Sequence, residues 1–206
     1  MNTNYQLSVD TGRLAIENGT ANPKWFRPDV DPHNIRNLMQ KSDAIAIRDT
    51  AIWLGMMIVS AGCAVAFWPS VWSVPFWLVY GVLYGSAADS RWHECGHKTA
   101  FKTTWMNNAV YQLASFMIMR NPAIWQASHV RHHTDTIIVG RDPEIVAMRP
   151  PDLARIALAF VGVVDVYIAF KRMILHASGR IDSEEATYVA AKDHAKVFRV
   201  ARIWLF

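Results

Sequence analysis

Hydrophobic and polar positions divide the chain into a polar start, a long apolar middle and a mixed second half. Residues 1–44 carry Gly12, Gly19, Pro23, Pro28 and Pro32 among polar residues with no sustained period, which predicts a mostly irregular arm. From Thr50 to Ala88 no residue is charged, and the run is interrupted only at Trp68-Pro69-Ser70. At about 1.5 Å of rise per residue, each half approaches the roughly 30 Å of a bilayer's hydrocarbon core. The pattern therefore predicts a helical hairpin crossing at 50–68 and 71–88, with Phe67, Trp68 and Trp72 at the far interface.

The second half alternates shorter apolar and polar stretches. Residues 103–128 include Asn107, Asn108, Gln112, Arg120 and Pro122, which suits an amphipathic or re-entrant helix along the interface better than a span. Residues 152–170 predict another interfacial helix, because its longest uncharged run, Ile156 to Val164, is too short to cross; Asp165 is expected to face protein. Residues 171–202 are rich in charge and read as a cytosolic segment, with Ser183-Glu184-Glu185 as a helix start. The expected class is all-α: a transmembrane hairpin with interfacial and cytosolic helices. Its parts are an arm over 1–44 and a membrane domain over 45–206.

Composition strengthens the membrane reading, since 52% hydrophobic residues and nine Trp in 206 residues exceed the usual content of a soluble domain. The net charge of +4 does not point to nucleic acid, because the basic residues avoid one contiguous stretch. Arg13, Lys24, Arg27, Arg36, Lys41 and Arg48 precede the hairpin, Arg91, Lys98 and Lys102 follow it, and its tip has none. The positive-inside rule places both ends in the cytoplasm of a multi-pass protein. Cys63 in the apolar run and Cys95 beside two histidines make no disulfide framework.

Candidate chemistry is concentrated between His93 and Asp135, which hold five of the eight histidines. His93-Glu94-Cys95-Gly96-His97 puts two imidazoles on one helix face, and His129-Val130-Arg131-His132-His133 does the same for three. Neutral imidazole suits first-row transition metals. A catalytic zinc keeps about three protein ligands, so five imidazoles argue for two metals. Asp89, Glu94, Asp135 and Asp142 are candidate partners for the second ring nitrogens. Arg131 and Arg141 are placed in solvent or at lipid headgroups, and His33, His176 and His194 at the surface. The first box also matches HExxH, in which a zinc protease uses the glutamate as base, but that reading leaves the second box unexplained.

HxxxH followed about thirty residues later by HxxHH resembles the first two histidine boxes of the integral-membrane fatty acid desaturase and hydroxylase superfamily, over residues 45–206. The resemblance implies a non-haem di-iron enzyme that uses O2 to desaturate fatty acyl chains, with His93, His97, His129, His132 and His133 as catalytic iron ligands. It also implies a metal site on the cytosolic face, here of a bacterial cytoplasmic membrane, and a fatty acyl or alkyl lipid as substrate. With no flavin, haem or dinucleotide motif in the sequence, electrons are expected from a ferredoxin or a cytochrome with its reductase. Alternatives inside the superfamily are a hydroxylase and a hydrocarbon oxygenase, including a bacterial branch linked to rhizopine. The superfamily's third box, another HxxHH, has no counterpart here. The sequence is accordingly expected to be a truncated member, incomplete and inactive by itself, with Ile203–Phe206 beginning a third span.

Overall fold

The computed structural model describes residues 7–22, 28–87, 91–145 and 151–206. It is all-α, with no strand among those residues. The chain forms two compact units, one of Asp29–Ile118 and one of Met1–Pro28 with Met119–Phe206.

The unit Asp29–Ile118 opens with α2 (Pro32–Leu38), begun by Pro32 and by the Asp31 carboxylate, which accepts from the His33 amide at 2.9 Å. It continues into α3 (Asp43–Ala66) and α4 (Ser73–Gly85). The 24 residues of α3 span about 36 Å. Ile52, Ile58, Val59 and Val65 are exposed on it, so no protein covers this apolar helix on those sides, and it is long and apolar enough to cross a membrane. The two helices run antiparallel. Trp53 Nε1 donates to the Leu83 carbonyl at 2.8 Å near one end, and Phe67 stacks on Phe76 at 5.5 Å near the other. Ser60, Ala64 and Ser73 are buried between them, where small side chains permit close approach. With 13 residues, about 20 Å, α4 is shorter than the crossing expected at 71–88; residues 88–90 lie outside the described part.

Beyond the hairpin, α5 (Trp92–Gly96) packs on α6 (Thr104–Met117). Buried Asn107 clips the intervening loop by accepting from Phe101 N at 3.1 Å and donating to Phe101 O at 2.8 Å. Asp43 accepts from the Thr103 amide and hydroxyl at 2.9 and 2.6 Å, tying the start of α6 to the start of α3. These bonds hold the Asp43 carboxyl below its ordinary value of 3.8, the side-chain bond contributing most.

The other unit begins with α1 (Val9–Glu17), started by a reciprocal cap between Ser8 and Thr11. The expected irregular arm is thus partly helical in both units, through α1 and α2. Gly12 lies directly against the backbone of Val139, whose carbonyl oxygen occupies the place a β-carbon would take. Next comes α7 (Pro122–Asp135), opened by Pro122 and by Asn121, whose side chain accepts from Ala123 N and donates to Val197 O. Where one interfacial helix was expected over 152–170, there are two, α8 (Leu153–Val161) and α9 (Val163–Ala177), bent by 73°. Gly162 makes the break at φ 71°, a conformation that Gly adopts at no steric cost. Asp165 is exposed instead of facing protein. Two 3-10 turns (Glu185–Thr187 and Ala191–Asp193) precede α10 (His194–Leu205), which packs on α7 and α9 around Ala123, Val189 and Val197. Ile203 and Leu205 form its last turn.

Candidate metal centre

The first box lies on the short α5, with His97 as its C-cap. Lys98 takes φ 59° and ends the helix, while the Thr99 amide and hydroxyl both donate to the Glu94 carbonyl at 2.9 Å. Trp92 and Cys95 point into the unit and are buried. Burial, with the Glu94 charge, pushes the Cys95 thiol up to about 11, and its side chain packs inside the unit, on the other side of α5 from the two histidines. On the outer side the rings of His93 and His97 meet edge to face, with their Nε2 atoms 3.2 Å apart. Glu94 is exposed.

The second box lies on the last two turns of α7. His129 is buried, its ring stacked on Trp125 at 4.3 Å. Its Nε2 lies 3.0 Å from His133 Nε2. His132 is a third ring, 5.7 Å from both by centroid.

Behind this face the chain turns back through Ile137 and Gly140, at φ 66° and 87°, and returns two carboxylates. Glu144 Oε2 lies 2.9 Å from His129 Nδ1, and its other oxygen accepts from Ser128 Oγ at 2.8 Å. Asp142 lies 2.9 Å from His132 Nδ1 and is fixed by the amides of Ile137 and Glu144. An ionised carboxylate only accepts, so in neutral His129 and His132 the proton sits on Nδ1 and the lone pair on Nε2. That is the tautomer and orientation of a metal-bound imidazole.

Both Nε2···Nε2 separations suit ligation of one ion. Two nitrogens about 2.1 Å from a shared ion, at roughly a right angle, lie about 3.0 Å apart. The donor set is entirely imidazole, which favours iron, zinc, copper or nickel over magnesium or calcium.

Of the four carboxylates proposed to back the histidines, only Asp142 does so among the described residues. Asp135 is clamped by Arg131 and Arg141, at 3.0 and 2.9 Å, which buries it and takes both arginines away from the solvent or lipid expected for them. Asp89 lies outside the described residues. Glu144 was missed; its signal was an acidic residue in the turn directly after the box. His33 is exposed as expected, and His194 is half-buried. His176 is no surface histidine: it is 3% exposed, with Nε2 2.7 Å from a fully buried Glu185.

The family model for fatty acid desaturases matches residues 66–206. A bifunctional fatty acid conjugase/Delta(12)-oleate desaturase of Punica granatum is 30% identical over 126 residues, 59% of this chain and 31% of the relative. An omega-6 fatty acid desaturase, endoplasmic reticulum isozyme 1, of Glycine max is 32% identical over 85 residues, 40% of this chain and 22% of the relative. A Delta(12)-acyl-lipid-desaturase of Punica granatum is 25% identical over 124 residues, 59% and 32% of the two chains. The chain thus spans about a third or less of these relatives' lengths. No solved structure matches it.

Proposed function

Because the chain belongs to the fatty acid desaturase family, we propose that it supplies part of the metal centre of a membrane-bound, O2-dependent oxidoreductase that desaturates fatty acyl chains, with His93, His97, His129, His132 and His133 as iron ligands. The observation that carries this reading is the pair of Nδ1–carboxylate contacts, which hold the Nδ1 protons of His129 and His132 and leave Nε2 as the nitrogen that can ligate a metal. Held by these histidines, a pair of irons would supply, with O2 and two external electrons, the oxidising power that an unactivated C–H bond requires.

The remaining work belongs to the chain itself. Glu144 and Asp142 hold the protons at Nδ1, and Trp125 fixes the plane of the His129 ring. The uncovered apolar surface of α3 and α4 would keep the first box, which follows α4 in the chain, beside the bilayer that stores acyl substrates. Two irons want about five or six ligands each, so five imidazoles are only part of a full set. The 206-residue chain is therefore expected to hold iron weakly and not to turn over. Joined to a second helical hairpin and a further HxxHH box, it should oxidise an acyl lipid with electrons from a ferredoxin or a cytochrome.

The test measures iron per chain and substrate-dependent O2 uptake in that completed form. Alanine at any box histidine should abolish uptake and lower iron, whereas His33→Ala should be silent. If two of the five substitutions leave iron and uptake intact, the assignment of that box is wrong. One tightly held zinc with peptide hydrolysis would overturn the oxidative reading in favour of the HExxH alternative.

A further inference from the structure

In the unit of Met1–Pro28 and Met119–Phe206, the arm made by α8 and the first half of α9 has no protein cover on most sides. Leu158, Val161, Val163, Val166, Tyr167 and Phe170 are all exposed along it. Apolar helix surface of this kind is favoured by apolar surroundings, with Arg155 and Asp165 as the exposed charges that interrupt it. The pattern changes one turn later, where Met173 and His176 turn inward and cations gather.

Lys171, Arg172 and Arg180 line a groove of about 450 Å³ whose walls are Tyr167, Ile168 and Leu175. Arg172 is engaged, 3.3 Å from Glu184 and 3.8 Å from Glu185. Lys171 and Arg180 are exposed and have no ion-pair partner among the described residues. The acid in the lining, Asp182, is turned to the Glu184 amide at 2.9 Å. The negative end of α9 is also covered, because Arg202 Nε donates to the Ala177 carbonyl at 2.9 Å. The groove thus holds two cations without an ion-pair partner among the described residues, and it shares Tyr167 and Ile168 with the uncovered apolar part of α9.

We infer that this groove binds one anionic glycerophospholipid, its phosphate between Lys171 and Arg180 and its acyl chains along the apolar side of α9. Arginine offers paired donors to phosphate oxygens, and lysine can lay its stem on apolar surface while its ammonium reaches the headgroup. A free phosphate would gain the cations but leave the apolar walls uncovered. A zwitterionic lipid would bring a third cation toward these two. No box histidine lines the groove, and binding there needs no turnover to be observed.

Native mass spectrometry of the full chain, released from detergent micelles with added phosphatidylglycerol or phosphatidylcholine, tests the assignment. One phosphatidylglycerol should be retained per chain, at concentrations where phosphatidylcholine is not. Lys171→Gln with Arg180→Gln should weaken retention roughly tenfold or more, while Lys192→Gln with Lys196→Gln, which removes the same charge from exposed positions beside and on α10, should leave it unchanged. Equal retention of both lipids would overturn the inference, as would equal loss in the two double variants. Displacement of the lipid by millimolar inorganic phosphate would make this a simple anion site. A lipid-free dimer broken by Val166→Glu would give the face to a second copy of the chain.

Discussion

A carboxylate placed against Nδ1 decides which nitrogen of an imidazole is left to bind a metal, so the weight of the second box rests on Glu144 and Asp142 as much as on its histidines. Glu144→Ala should weaken metal binding by about 10–100-fold in a chelator competition while leaving helix content unchanged; unaltered affinity would remove Glu144 from the centre. Spacing alone made the histidines legible, since i,i+4 positions share a helix face whatever follows. Glu144 was not legible because its reach to His129 depends on left-handed turns at Ile137 and Gly140, and Ile137 is a residue that seldom adopts them. Asp43 gives a second test at this scale. Its carboxyl titrates below 3.8 in the fold, so its contribution to holding Thr103 is present above that value and lost as pH falls through the lower, folded one. Amide exchange at Thr103 should rise in that acid range relative to its neighbours, and Asp43→Ala should abolish the pH dependence.

Among the elements, the apolar ones were the easiest to anticipate and the polar carboxy-terminal ones the hardest. The uncharged run at 50–88 announced α3 and α4, because its break falls at the Pro69 turn and Pro75 sits in the first turn of α4, where a missing N–H is tolerated. The charges of 171–202 instead suggested a solvated segment, yet α9 continues to Ala177 and buries Met173 and His176 on one face. Four residues of mixed character hide such a face when the covering element, here the turn at Glu185–Thr187, lies further along the chain. His176 and Glu185 pin that turn to α9. His176→Ala should leave the buried carboxylate without its closest partner and cost about 3 kcal/mol of stability by the usual penalty for breaking a buried pair. Denaturant unfolding in detergent measures it, and metal binding by the boxes should be unaffected. A loss under about 0.5 kcal/mol, the level of an ordinary surface substitution, would restore His176 to the surface class.

At the scale of the whole molecule, the apolar helices govern how the chain meets the bilayer. Among the described residues one helix, α3, is long and apolar enough to cross, the bent pair of α8 and α9 would make a second only if it acted as one span, and the 13 residues of α4 fall short of a full crossing by themselves. The basic flanks still favour a hairpin with both ends in the cytoplasm. Single cysteines at Ser8, Ser70 and Ser178, with Cys63 replaced by alanine, should be labelled by an impermeant thiol reagent from outside intact cells only at Ser70. Labelling at Ser8 or Ser178 would sink the two-crossing topology. A different consequence follows from the seat of Gly12 against Val139, which makes the amino-terminal helix a brace for the loop that carries Asp142 and Glu144. The stretch shared with the desaturase family begins only at residue 66. A protein trimmed to start at residue 29 would keep every box histidine and every long helix, and would pass for an intact scaffold by its spectrum. Its defect would be one of posture: the acids behind the second box would drift, and, on the ligation proposed above, metal affinity in a chelator competition would fall before the helical spectrum changed.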